Sequence, residues 1–405
     1  MSDPLIPNSG RRVPELDGLR GIAILLVLVW HYLTNQLAPE HFPIMGLLMR
    51  TPLSVTWSGV DLFFVLSGFL IGGILIDQRE SASFFRTFYV RRACRIVPLY
   101  YALIGAFLLT VAFGLTADGR LDWLFRKLHP LWTYATFTQS FAICQTGTLG
   151  GSWFGVTWSL AIEEQFYLVL PAVVYFCSRL HLPFLLAALI CLAPVLRVFL
   201  LLVWPQYSPL SYILMPCRAD SLLAGVLAAW ALRVPAITAN LRSNAGRLYW
   251  VGGALLAGVL LIGYSQQPFA SNFMSLFGYT WMAVFYVTVL IMGVVEPRGP
   301  VSWVCRWAAL RKLGIIAYGV YLLHQPMSGL CHGLLDGGEP WITGLRSAGI
   351  TLLALAFTIL LALLSYRLFE KPMIDFGHRF RYAPPDPDRR ERRERGESGS
   401  ATPGA

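Results

Sequence analysis

The stretch LDGLRGIAILLVLVWHY, residues 16–32, decides how the chain is read. It is long and apolar enough to begin a membrane helix, since about 20 apolar residues cross a hydrocarbon core of ~30 Å. It nevertheless carries an arginine, Arg20, near its start and a histidine, His31, eleven residues on. Ionisable groups inside a bilayer are costly and generally have a use there. Eleven steps of 100° come to about 20° beyond three full turns, so both side chains are expected on one helix face, about 16.5 Å apart along the axis.

The rest of the chain extends that reading. Of 405 residues, 56% are hydrophobic and 13% charged, against roughly 25% charged in an ordinary soluble domain. Hydropathy and flanking charge predict an all-α, polytopic membrane helix bundle of about ten spans. They fall near 18–37, 57–77, 95–114, 157–177, 184–203, 213–232, 248–264, 273–294, 313–331 and 347–368. The segment 130–145, PLWTYATFTQSFAICQ, is too short and polar to span and reads as re-entrant or interfacial. With both termini cytoplasmic, 25 Lys/Arg fall on inner segments and 5 on outer ones, with Arg197 and Arg218 inside spans. That bias obeys the positive-inside rule and supports both the count and the orientation.

The formal net charge of +10 suggests nucleic acid at first, but nine of the 32 basic residues lie from Arg367 onward and most others flank apolar runs. Lipid head groups, and no nucleic acid, are the expected counter-charge. The seven cysteines are scattered without metal-ligand spacing, so no metal is expected. The first apolar run reads as an uncleaved anchor. Residues 1–378 form the membrane domain, and 379–405 read as a disordered cytoplasmic tail.

Further ionisable residues gather at one predicted depth: Asp61, Glu163 and Glu164, Arg218 and Asp220, and His324. A layer of carboxylates, imidazoles and an arginine in the outer half of a bilayer describes a polar cavity better than a scatter of lone charges. An arginine fork suits phosphate oxygens, and an imidazole exchanges protons near neutral pH. An elongated donor with an anionic head could therefore lie along the first helix. Read more plainly, Arg218 and Asp220 form a structural ion pair, and His31 is a hydrogen-bonded core residue.

Seven motifs in order then resemble the acyltransferase 3 family of bacterial membrane O-acyltransferases: ELDGLRGIAILLVLVWHY, GVDLFFVLSGFLIGGIL, FYVRRACRIVPLYY, TWSLAIEEQFYLVLP, RADSLLAGVLAA, LGIIAYGVYLLHQP and SYRLFEKP. The family's arginine-x10-histidine signature falls on Arg20 and His31. The resemblance implies transfer of an acyl group, usually acetyl, from cytoplasmic coenzyme A to a hydroxyl of a carbohydrate or glycoside, often at the outer face. Arg20, with Arg92 and Arg95, would meet the donor phosphates. His31 would act at the thioester as general base, with Glu163 or Asp61 fixing its tautomer, or as a covalent acyl carrier. Arg218, Asp220, His324 and Glu164 would line the acceptor side or the cavity. Ser67, Ser159, Arg218, Tyr100 and Tyr101 are candidate oxyanion donors. Many relatives carry an added extracytoplasmic esterase-like domain, so a separate partner of that kind is a further expectation. A transporter or flippase whose buried charges bind its solute is the rival class.

Overall fold

The computed structural model describes residues 13–37, 53–114, 119–204, 210–265 and 271–384. Helix α1 (Pro14–Val29) runs on into a π-helical turn, Trp30–Thr34, and α2 (Gly59–Asp77) and α3 (Phe84–Ala112) follow. Three short helices, α4 (Asp122–Phe125), α5 (Leu131–Ala135) and α6 (Gln139–Thr146), lead to α7 (Thr157–Phe176) and α8 (Leu182–Val203). Then come α9 (Leu210–Ile213), α10 (Met215–Ala231), α11 (Pro235–Ser243), α12 (Ala245–Tyr264) and α13 (Tyr279–Val295). A second π turn, Met274–Gly278, leads into α13, and the chain closes with α14 (Pro300–Cys305), α15 (Ala308–Ile315), α16 (Ala317–Asp336), α17 (Leu345–Ser365), a third π turn at Tyr366–Glu370, and α18 (Lys371–His378).

Nine helical runs among the described residues are long and apolar enough to cross a membrane. The remaining expected span corresponds to α16, which is 20 residues long. His324, Gln325, Ser328 and His332 dilute its apolar character, and the burial of His324, Ser328 and His332 is what a polar membrane helix requires. The expected 95–114 span begins eleven residues earlier, at Phe84, because the basic side chains of FYVRRACR have somewhere other than lipid to point.

Segment 130–145 does not span. Backbone carbonyls freed where α5 ends are met by tyrosine hydroxyls of α3: Tyr100 donates to Tyr134 at 2.9 Å and Tyr101 to Ala135 at 2.6 Å. Irregular backbone is held at membrane depth only when its polar groups are met in this way.

Helix α2 is the axis of the bundle, with 72% of its spanning window buried against 17% for α12. Its glycines explain the contrast. A Cβ on Gly68 would lie 1.8 Å from the Leu222 carbonyl oxygen, and one on Gly225 would lie 2.1 Å from that of Val65. The backbones of α2 and α10 therefore touch reciprocally, the small-residue packing that drives helix association where there is no water to exclude. Residues 379–384 lie against the start of α3, where Arg91 Nε donates to the Phe380 carbonyl at 2.9 Å and the Ala383 amide to Ser83 Oγ at 2.9 Å. The rest of the expected tail lies outside the described residues.

Candidate active site

The expected polar layer separates into three places. Near the start of α1, two adjoining cavities of about 130 and 450 Å³ share Arg20, Arg95, Gly314 and Tyr318. Arg92, Glu163, Ser67 and Tyr167 line the smaller, and Tyr366, Glu370, Lys371 and His378 the larger. Arg20 donates to Asp17 at 3.2 Å, its partner in the DGLR turn. Arg92 and Arg95 make no ion pair or side-chain hydrogen bond with any described residue. Two half-buried guanidinium groups that border open space and form no direct ion pair make a site that seeks anionic oxygen. Glu163 lies beside Ser67 and Tyr167 and near Arg92 and Arg95. Glu164 lies one residue further round, near Arg92, with Oε1 buried and unpartnered.

At the other end of α1 lies a cavity of about 40 Å³, lined by His31, Asn35, Gln36, His324, Gln325 and Trp341 among others. The two imidazole rings stand edge to face, with centroids 4.7 Å apart. Two short contacts settle their tautomers. His31 Nδ1 lies 3.0 Å from the Val27 carbonyl and His324 Nδ1 lies 2.7 Å from that of Tyr321. A carbonyl only accepts, so each Nδ1 carries the hydrogen and each neutral ring presents Nε2 as a lone-pair acceptor. The π turn contributes to this arrangement: the Asn35 amide reaches back five residues to the Trp30 carbonyl at 2.8 Å, and such turns re-aim side chains at functional sites. Tyr32, next to His31, ties the turn to α16 and α17 by donating to the His324 carbonyl at 2.7 Å and meeting Thr358 Oγ at 2.8 Å.

Arg20 and His31 thus open into different cavities, and the expected single cavity is divided. Tyr321 is in the dividing wall. It lines the basic cavity, its hydroxyl meets Ser159 Oγ at 2.6 Å, and its ring lies 5.8 Å from that of His324.

The third place is a closed ionic cluster. Arg218 donates to Asp61, whereas Arg197 holds Asp220 at 2.9 Å and also binds the carbonyls of Ser275 and Cys217 and the hydroxyl of Thr280. The Arg218 guanidinium lies 4.1 Å over the Tyr279 ring. All four charged side chains are 0–1% exposed, and none lines a described cavity. Two expectations change here. Arg218 and Asp220 do not pair with each other, because the crossing of α2, α8 and α10 offers each a different partner. Neither Asp61 nor Glu163 orients His31, because the Val27 carbonyl of its own helix already does so. Among the described residues, no group of three or more His, Cys, Asp or Glu side chains is arranged to hold a metal ion.

Several cavity residues carried no assignment from sequence: Lys371, Tyr318, Tyr321, Gln325 and Trp341. Lys371 and Gln325 stand inside quoted motifs, FEKP and HQP, and their proximity to charged or imidazole neighbours was the available signal.

The acyltransferase domain family matches residues 13–367, so the chain belongs to that family, as a multi-pass membrane member. It is 27% identical over 388 residues to the peptidoglycan O-acetyltransferase OatA of Listeria monocytogenes, covering 90% of this chain and 56% of the relative. It is 28% identical over 404 residues to the Bacillus subtilis protein YrhL, provisionally named a peptidoglycan O-acetyltransferase, covering 91% and 56%. A Komagataeibacter xylinus protein, BcsY, provisionally named a membrane-bound transacylase, is 26% identical over 394 residues, covering 94% and 87%. The chain therefore spans a little over half the length of the first two relatives. No solved structure matches it.

Proposed function

We propose that this protein is a membrane O-acyltransferase that moves an acyl group, acetyl by preference, from cytoplasmic acyl coenzyme A to a hydroxyl of a carbohydrate or glycoside presented at the outer face of a bacterial cytoplasmic membrane. The observation that carries the reading is the contrast between the two ends of α1: unpaired Arg92 and Arg95 with Arg20 at one end, and paired imidazoles with free Nε2 atoms at the other. Anionic phosphates suit the first and a nucleophilic hydroxyl the second. The relatives' names, which concern O-acetylation of peptidoglycan and transacylation, agree with it.

In this reading Arg20, Arg92, Arg95 and Lys371 grip the donor phosphates, and the thin arm of the donor passes Tyr321 to bring its thioester to His31. Nε2 of His31 takes the proton of the attacking hydroxyl as the new O–C bond forms. The tetrahedral oxyanion then collapses, the C–S bond breaks, and the departing thiolate takes the proton from the imidazolium. Glu163 positions the Arg92 and Arg95 forks, and Asp61 serves the fold through Arg218. An extracytoplasmic partner would carry the acyl group onward where the final acceptor is a polymer.

The test uses the full chain in nanodiscs with radiolabelled acetyl coenzyme A. His31→Ala is expected to lower turnover by about 10²–10⁴ with donor binding retained. Arg20→Ala is expected to weaken donor binding by about tenfold with turnover at saturation largely kept. Normal single-turnover rates without His31, or unchanged donor affinity without Arg20, would overturn the assignment.

A further inference from the structure

The base that the reaction needs is one imidazole, yet the cavity holds two. His324 is fully buried, and its Nε2 has no hydrogen-bond partner. Gln325, which also lines the cavity, has its Oε1 buried and unpartnered as well. A buried polar atom without a partner costs about 1–3 kcal/mol, so native structures rarely keep one without a use. The His324 ring packs against His31, Tyr32 and Tyr321, but α16 is also fastened to its neighbours by contacts that do not use the imidazole. Tyr32 and Gln36, in and just after the π turn that follows α1, hold α16 through the His324 carbonyl and Ser328 Oγ, at 2.7 and 2.8 Å.

Resting on the transferase reading above, we infer that His324 is the second reader of the acceptor: the cavity takes an uncharged vicinal diol, with one hydroxyl on His31 Nε2 and its neighbour on His324 Nε2. Three observations support this. The unpartnered atoms of His324 and Gln325 are acceptors, as is the free Nε2 of His31, so their ligand must bring hydrogen-bond donors. The rings are 4.7 Å apart, so adjacent hydroxyls on neighbouring carbons can address both at once. No Arg, Lys, Asp or Glu is among the described residues lining the cavity, so a phosphate or carboxylate there would be desolvated without compensation. At about 40 Å³ the space admits the diol edge of a molecule while its body stays at the mouth, beside Trp341, which is 45% exposed. A monohydric alcohol would leave one Nε2 to a trapped water, at an entropic cost.

The experiment compares trans-1,2-cyclohexanediol with cyclohexanol on the full chain in nanodiscs. Binding is read by saturation-transfer NMR without donor, with empty nanodiscs subtracted, and acetyl transfer is read with labelled acetyl coenzyme A. Wild type is expected to prefer the diol by about tenfold, the worth of one net hydrogen bond at a buried acceptor. His324→Ala should erase the preference by weakening the diol alone, and His324→Gln, which keeps an acceptor, should restore most of it. Trp341→Ala, at the exposed mouth, should weaken both probes without changing their ratio.

Equal binding of the two probes in wild type would overturn the inference. So would a His324→Ala variant that loses both equally, which is what a merely structural histidine would give. A diol preference without any acetyl transfer would strike the transferase reading and leave the diol site standing. Transfer with a ratio that His324 does not move would do the reverse.

Discussion

Two groups of arginines sit in the same bundle and teach different lessons. Arg197 and Arg218 are wholly buried, each paired with an aspartate, and Arg197 is further saturated by two carbonyls and a hydroxyl. Arg92 and Arg95 are half-buried, have Glu163 and Glu164 nearby but form no ion pair with a described residue, and border open space. In the first case a direct ion pair offsets the cost of placing a cation in a membrane, and in the second the nearby carboxylates leave the guanidinium groups open to a ligand's charge. Free donors alone are not the sign of function, since Nε and Nη1 of Arg218 also lack hydrogen-bond partners inside the packed cluster; what marks Arg92 and Arg95 is the cavity beside them.

The sharpest way to break this contrast is to remove one partner from each group. Arg197→Ala leaves Asp220 as an uncompensated buried charge, and a loss of about 3–5 kcal/mol is expected; thermal unfolding in detergent, followed by size-exclusion chromatography, checks it. An unchanged midpoint would mean that the cluster does not hold α8 to α10. Replacing both members of the other pair, Asp61→Leu with Arg218→Met, should recover much of what either single change loses, because a well-packed apolar pair avoids the desolvation cost. In the second group, Arg95→Gln should raise the donor KM by about tenfold to a hundredfold, with the unfolding midpoint preserved. A fall in stability matching that of Arg197→Ala would dissolve the distinction. The smallest effect belongs to the exposed pair of Arg126 and Glu339, 2.6 Å apart: Arg126→Ala should cost less than about 1 kcal/mol and vanish in high salt.

The comparison also shows how far the sequence could be read. Arg20 was legible as one end of the first helix because helical spacing fixes height in the bundle, and Arg92 and Arg95 joined it through the family resemblance, whereas Glu163, expected at the level of His31, lies with these arginines instead. The same logic put Asp61, Arg218 and Asp220 at the level of His31, where they do not meet it. Their pairing depends on which faces of α2, α8 and α10 cross, and that is fixed by the backbone contacts at Gly68 and Gly225. Segment 130–145 was legible as non-spanning from its length and hydroxyls. Its anchoring by Tyr100 and Tyr101 was not, since those partners lie 34 residues away in the chain.

What the sequence determined by itself is the axial order: apolar runs long enough to cross a bilayer, a cation near one end of the first and an imidazole toward the other, with the basic loops gathered on one side. A one-dimensional pattern suffices for that, because rise per residue is nearly constant in a helix. Only the tertiary structure decided which side chains share a space. It divided one expected cavity into two with Tyr321 between them, turned His31 toward His324 through a π-helical turn, and closed Arg197 and Arg218 on aspartates of neighbouring helices. Such choices depend on the rotation of each helix about its own axis and on which neighbour it packs against, and the spacing of residues along a single helix carries no record of either.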